Sequence, residues 1–373
     1  MTRAIQFSGL RDLYEQAVAG QRFSTADALR LFESREIHAL GAIADLVNRR
    51  LNGVRASYIL NRYLNYSNYC ILSCQFCAFA RKKRDQDGFE LTVEQMVAKA
   101  REALALGVTE LHIVGGLHPS LPFQFYLDML GALRALDNRL QLKCFTAIEI
   151  LHLAWQARRS VPETLTALRD AGLHSLTGGG AEIFRPEVRS AIARGKESAA
   201  EYLEVHRTWH KMGGRSTCTM LYGHVESLED RIDHLEQLRQ LQDETGGFTG
   251  FIPLPYHPEN NSIPVDKAPT AWDTIRTIAV SRIFLDNIRH ITAYWVGLGT
   301  KLAQVALNFG AEDLHGTIHE EHIFRMAGAQ SPAHQTETEM VRAIRETGRT
   351  PVQRNTFYEP VKVWETKIGR AHV

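Results

Sequence analysis

The sequence has no apolar run approaching the ~20 residues that span a bilayer. Its start, MTRAIQFSGL, lacks the long apolar stretch of a secretory leader. Charge of one sign is missing too: 43 Lys and Arg face 42 Asp and Glu, for a net charge of +1. That balance leaves no basic face for nucleic acid and no acidic tail. No linker, low-complexity segment or repeat divides the chain. Cysteine is scarce, five in 373 residues, and an odd number suits a reducing compartment better than a disulfide framework. These absences lead us to expect a cytoplasmic protein with neither nucleic acid nor membrane as a partner.

What is present is a large soluble core-former, 44% hydrophobic and 23% charged. Helical stretches are expected at roughly 9–33 and 37–52. Strand candidates follow at 55–61, 110–116, 141–147, 174–180, 216–223, 248–255 and 290–295, with a short eighth near 311–317. Segments of helical period separate them. In SLEDRIDHLEQLRQLQDE, Ile232, Leu235, Leu238 and Leu241 share one face. Strands alternating with helices predict an α/β fold, a TIM-like (β/α) barrel. We expect one globular unit: an N-terminal helical extension (1–54), the barrel (55–330) and a C-terminal α/β extension (331–373) holding a helix and one strand. Chemistry in such barrels sits at the C-terminal ends of the strands. Polar or glycine-rich loops follow seven of the candidates.

Three of the five cysteines, Cys70, Cys74 and Cys77, fall within eight residues of the loop after the first strand. Thiolates select zinc, cuprous copper or iron–sulfur. A zinc site wants a second ligand pair, and none with suitable spacing lies nearby. Cys144 and Cys218 sit in apolar strand-like runs and read as buried small hydrophobes. Three thiolates at C-x3-C-x2-C spacing suit three corners of a [4Fe–4S] cube, leaving one iron open to a ligand. A zinc or redox protein is the competing reading.

With an aromatic, Phe76, before its last cysteine, NYCILSCQFCAF resembles the radical S-adenosylmethionine (SAM) superfamily. The resemblance implies that Cys70, Cys74 and Cys77 ligate a [4Fe–4S] cluster whose fourth iron takes the methionine end of SAM. HIVGGLHP resembles the glycine-rich segment at the end of strand two, so Gly115 and Gly116 are expected to let the methionine moiety come close. Glu182, in LTGGGAEIFRPEVR, and Glu149, in FTAIE, are candidates for the nucleoside; either also suits a helix N-terminus. Arg194, with Arg189 and Lys196, offers a cation for a carboxylate, or simply a solvated helix face. His118, His224 and His257 each stand at a strand end and are candidates for proton transfer or carboxylate binding, with structural histidine as the plain alternative. Tyr222, Tyr256, Tyr294 and Trp295 suit an aromatic pocket or core packing.

Together, GGLHPSLPFQFY, KCFTAIEI, TGGGAEIFRPEVR, TCTMLYGHVES, LQDETGGFTGFIPLPYHPENN and GAEDLHGTIHEE resemble the aminofutalosine synthase branch of that superfamily, over roughly residues 55–330. Its cyclic dehypoxanthine futalosine synthase and deazaflavin (FO) synthase branches share much of the pattern. One departure is His315 in DLHGT, where Asp is expected. The resemblance implies a 5′-deoxyadenosyl radical that adds to the enol ether of 3-[(1-carboxyvinyl)oxy]benzoate. The products would be aminofutalosine, methionine and CO2 or bicarbonate, on the way to menaquinone. SAM is then a consumed co-substrate, and an electron donor such as flavodoxin or ferredoxin is an implied partner. Arg and His at strand ends are the expected ligands of the substrate carboxylates.

Overall fold

The computed structural model describes residue 5, residues 8–265 and residues 267–365; the last eight residues of the C-terminal extension and most of the first seven lie outside the described residues. Among the described residues the helices Arg11–Ala19, Thr25–Glu33 and Ile37–Asn52 precede the first strand. The single stretch expected over 9–33 is cut at Gly20, which closes the first helix with φ 71°, a left-handed turn that glycine adopts without strain. Ser24 opens the next helix, accepting the Asp27 N–H while the Asp27 carboxylate accepts the Ser24 N–H. The same reciprocal cap begins helices at Thr92, Thr146, Ser160, Ser198, Ser227 and Thr336, each worth about 1 kcal/mol.

The apolar run 55–61 is not one strand. β1 (Arg55–Ile59) and β2 (Asn61–Leu64) part at Leu60 and enter different sheets. β2, β3 (Glu110–Ile113), β4 (Gln141–Cys144), β5 (Ser175–Leu176), β6 (Arg215–Tyr222), β7 (Phe248–Pro255) and β8 (His290–Ile291) form a seven-stranded parallel sheet in chain order. Such a sheet, curled with helices outside, is the half-barrel form of the expected fold. The eighth strand, β9 (Asp313–Gly316), pairs with β1 rather than within the seven. A bridge from Asp313 to Thr292 and a hydrogen bond from Asn61 N to Thr317 Oγ1 (3.1 Å) bring it between the last and first barrel strands.

The C-terminal extension is built into this closure. β10 (Thr350–Arg354) lies parallel to β1, and β11 (Pro360–Val363) folds back antiparallel, so the single strand expected there is a hairpin. Arg354 donates to both oxygens of Asp313, at 2.7 and 3.1 Å, while Ser57 and Thr292 donate to the same carboxylate. The ion pair is almost wholly buried, with side-chain exposures of 3% and 0%. Removing one partner of such a pair costs about 3–5 kcal/mol. On the outer layer, Ile232, Leu235, Leu238 and Leu241 of the helix Leu228–Thr245 all turn into the core as their period predicts. No helix among the described residues is long and apolar enough to cross a membrane.

Candidate active site

The loop after β2 is shaped by backbone bonds rather than by a hydrophobic core of its own. Cys70 N donates to Arg81 O (2.9 Å), and Lys82 Nζ donates to the carbonyls of Cys70, Ile71 and Leu72 at 2.9, 3.1 and 2.8 Å. One ammonium thus gathers three successive carbonyls and bends the chain around the first cysteine. Gln75 fastens the far side, donating through its N–H and its amide to Ile192 O and Ala191 O. Cys70, Cys74 and Cys77 are free and half-buried, and all three line one cavity of about 290 Å³. Burial pushes the Cys74 thiol up to about 12, and lifts Cys77 in the same direction. Ligation must therefore displace protons, as it does for thiolate sites in general. Among the described residues no three His, Cys, Asp or Glu side chains are drawn tightly enough together to hold a single ion. Corners of a four-iron cube stand further apart than ligands of one zinc, about 3.8 Å from each other at a 2.3 Å Zn–S bond. This all-thiol donor set on an open loop fits a cluster.

The glycine edge meets this loop directly. A Cβ on Gly116 would fall 2.2 Å from the Tyr69 carbonyl oxygen and 3.0 Å from Cys70 Cβ, and one on Gly115 would strike the Tyr66 ring at 2.5 Å. Glu149 fixes that edge from behind. Its Oε1 accepts Gly115 N (3.1 Å) and the Tyr66 hydroxyl (2.7 Å), while Oε2 caps its own helix through Thr146. Burial raises its pKa. Glu149 therefore positions Gly115 as well as lining the cavity.

The loop after β5 supplies the opposite wall. Gly178 packs so closely on β6 that a Cβ would sit 2.6 Å from Cys218 Cα. Gly180 and Glu182 turn the chain at φ 98° and 45°. The buried guanidinium of Arg189 holds this turn by donating to carbonyls of Gly180, Ala181, Ile183 and Glu197. Glu182 pairs with Lys196 through Oε1, and the same ammonium lies 5.1 Å above the Phe76 ring. Burial works against the Lys196 charge, but the Glu182 and Glu197 carboxylates outweigh it and raise its pKa. Glu197, buried without a hydrogen-bond partner for either side-chain oxygen, is pushed up to about 7 by burial.

Several candidates stand elsewhere than expected. Arg194 is exposed and does not line the cavity; Lys196, two residues on, supplies the cation. His118 is away from the cavity as well. Its Nδ1 accepts the N–H groups of Ser120 and Leu121, and its Nε2 meets Glu90, so it caps the loop before the helix Phe123–Arg134. His224 is held by Val225 N and Leu221 O beside Glu226, also off the cavity wall. His257 lines the cavity, donating from Nε2 to Gly297 O at 3.0 Å. Tyr256 and Tyr294 line it too, whereas Tyr222 and Trp295 pack into the core.

The floor is built of residues not expected at the site, His315 having stood out only as a departure from Asp. Tyr63 of β2, His112 of β3, Lys143 of β4 and His315 of β9 project inward beneath the glycine edge. Tyr63 stacks on His112 with centroids 4.3 Å apart, and its hydroxyl lies 3.3 Å from His315 Nε2. Burial holds His315 down to about 3 and lowers His112 as well, so both rings are neutral. Among the described residues Lys143 and Lys196 are the only Lys or Arg side chains on the cavity wall, and no arginine contributes. The available signal was a polar residue within a parallel strand, where burial on both faces ordinarily selects apolar side chains.

A family profile described as the Radical SAM superfamily matches residues 64–238, and one described as the CofH/MqnC C-terminal region matches residues 245–367. The chain is 41% identical to an aminodeoxyfutalosine synthase of Thermus thermophilus over 97% of its own length and 99% of that protein. It is 37% identical to a cyclic dehypoxanthine futalosine synthase of Streptomyces coelicolor, covering 95% and 89% of the two chains. Its fold resembles the crystal structure of methylornithine synthase (PylB), at 17% identity and a TM-score of 0.73, over 91% of this chain and 97% of that one.

Proposed function

Because the chain belongs to the radical SAM superfamily, we propose that it is an aminofutalosine synthase, joining the adenosyl unit of SAM to 3-[(1-carboxyvinyl)oxy]benzoate. The products are aminofutalosine, methionine and CO2 or bicarbonate. The observation that carries this reading is 41% identity to an aminodeoxyfutalosine synthase over nearly the whole of both chains combined with a cysteine loop, glycine edge and Glu182–Lys196 wall on a single cavity. Cys70, Cys74 and Cys77 would hold a [4Fe–4S] cluster. When bound, cluster and SAM together supply a 5′-deoxyadenosyl radical.

The chain's own residues then have four tasks. Gly115 and Gly116, held by Glu149 and Ser67 O, keep the edge open to the methionine end. Glu182 spends one oxygen on Lys196, which leaves Oε2 to accept a hydrogen bond from a ribose hydroxyl. Ile252, Leu254, Tyr256, Tyr294 and Phe324 form an apolar wall that excludes water from a reactive carbon centre. His257 is the single one of the three candidate histidines on this wall and can hold or pass a proton there.

The test is incubation of anaerobically reconstituted protein with dithionite, SAM and the enolpyruvyl benzoate. The expected product is the adenosyl–substrate adduct with loss of one carboxylate. Formation of 5′-deoxyadenosine alone defeats the reading.

A further inference from the structure

Lys143 is 3% exposed, stands in the middle of the barrel and borders the cavity. Two carboxylates act on its charge from a distance, Glu110 foremost and then Asp313, yet the hydrogen bonds of both go to other groups. Glu110 accepts from Asn61 (3.1 Å) and Thr356 (2.8 Å), and Asp313 from Arg354, Ser57 and Thr292. The ammonium is therefore a buried cation with cavity on its open side. Burial lowers its pKa in spite of those carboxylates, and a charge at such a depth without a hydrogen-bonded partner is costly until a ligand completes it.

The other cation on the wall, Lys196, is already paired with Glu182. His112 and His315, its neighbours on the floor, are neutral. Among the described residues Lys143 is therefore the cavity-lining cation not already in an ion pair. In the sheet it lies beside His112, three residues before Gly115, so about 10 Å of extended strand separates its layer from the glycine edge. The rings of Tyr63, His112 and Tyr294 surround the floor and offer faces to a flat apolar ligand.

Resting on the synthase reading above, we propose that Lys143 is the anchor for the arene carboxylate of the substrate. The benzoate end points down the barrel to the ammonium. The enol ether, on the far side of the ring, stays up at the glycine edge, beside the nucleoside it must join. The floor thereby sets which of the substrate's two carboxylates is buried and which remains near the mouth to be lost.

Equilibrium dialysis tests this on reconstituted protein with SAM and no reductant, using 3-ethoxybenzoate and the uncharged 3-ethoxybenzamide as probes. Wild type should hold the benzoate at least about tenfold more tightly, since a charge-assisted hydrogen bond in a buried site is worth that or more. Lys143→Met, at unchanged iron content, should lose the preference. Equal binding of the two probes by wild type, or a preference retained in Lys143→Met, overturns the proposal. A readout that needs no variant is labelling of wild-type Lys143 by pyridoxal phosphate and borohydride, followed by mass spectrometry. Saturating 3-ethoxybenzoate should protect it at least about tenfold, and unaltered labelling overturns the proposal. Wild type that shows this preference yet forms no adenosyl adduct with the enolpyruvyl benzoate leaves the anchor standing and removes the synthase reading.

Discussion

Gly116→Ala sets one methyl group against the backbone of the cysteine loop. The added Cβ falls 2.2 Å from the Tyr69 carbonyl oxygen and 2.7 Å from its carbon. Contact at the ordinary ~3.5 Å then requires a displacement of roughly 1.3 Å. Neither side yields easily: Gly116 N is bonded to Ser67 O at 2.9 Å, and Cys70 N to Arg81 O at 2.9 Å. Overpacking of this kind costs about 1–3 kcal/mol. At about 2.1 cal/mol/K per residue, unfolding 373 residues has an entropy near 0.8 kcal/mol/K, so Tm should drop by about 1–4 °C. The larger effect is expected on the cluster, because Cys70 sits on the segment that must move. Iron content and visible absorbance after reconstitution should fall well below wild type. Gly131→Ala is the matched control: its Cβ meets nothing within 4 Å, in the middle of the helix Phe123–Arg134. There the same methyl should stabilise by about 0.5–1 kcal/mol and leave iron content unchanged. A Gly116→Ala protein with wild-type iron and wild-type Tm would refute the account of the glycine edge.

Cys74→Ala should abolish visible colour and turnover together while the protein stays folded by circular dichroism. Arg354→Met leaves the Asp313 carboxylate buried without its partner and should cost about 3–5 kcal/mol in denaturant unfolding; adding Asp313→Asn should recover part of the loss. Glu197 has its pKa raised by burial from 4.5 to about 7, so the native state holds a proton that the unfolded chain releases. Its contribution to stability is full below about pH 4.5 and is lost as pH rises through about 7. Glu197→Gln should therefore flatten the decline in stability between those values, and parallel wild-type and variant curves would contradict it.

The site was legible where its signal is local. Cys70, Cys74, Cys77, Gly115 and Gly116 are specified by spacing within a few residues, and all line the cavity. Long strands were equally plain, because the apolar runs at 215–222 and 248–255 leave no helical alternative. The run at 55–61 misled because one strand-like segment serves two sheets, and nothing in its composition marks the break at Leu60. His118 and His224 misled for another reason. Strand-end turns need their N–H and C=O groups satisfied, and histidines doing that work carry no sequence spacing to distinguish them from catalytic ones. Lys143 and His112 were missed because their meaning depends on which face of a strand looks inward, and that follows from the barrel rather than from the run itself.

The pairing of β1 with β9 and β10 also sets an order of events during synthesis. Ser57 leaves the ribosome 256 residues before the Asp313 carboxylate it will donate to. At ~5–20 residues per second, roughly 10–50 s pass in which β1 has no partner on either side. An unpaired strand with Tyr58 and Ile59 destined for full burial is a template for association with another chain. The nascent protein must keep that edge covered until its C-terminal fifth emerges. The helices Arg11–Ala19, Thr25–Glu33 and Ile37–Asn52, already made, are the elements available to shelter it. Truncation before β9 would extend that exposure indefinitely, and should yield aggregate rather than a smaller soluble barrel.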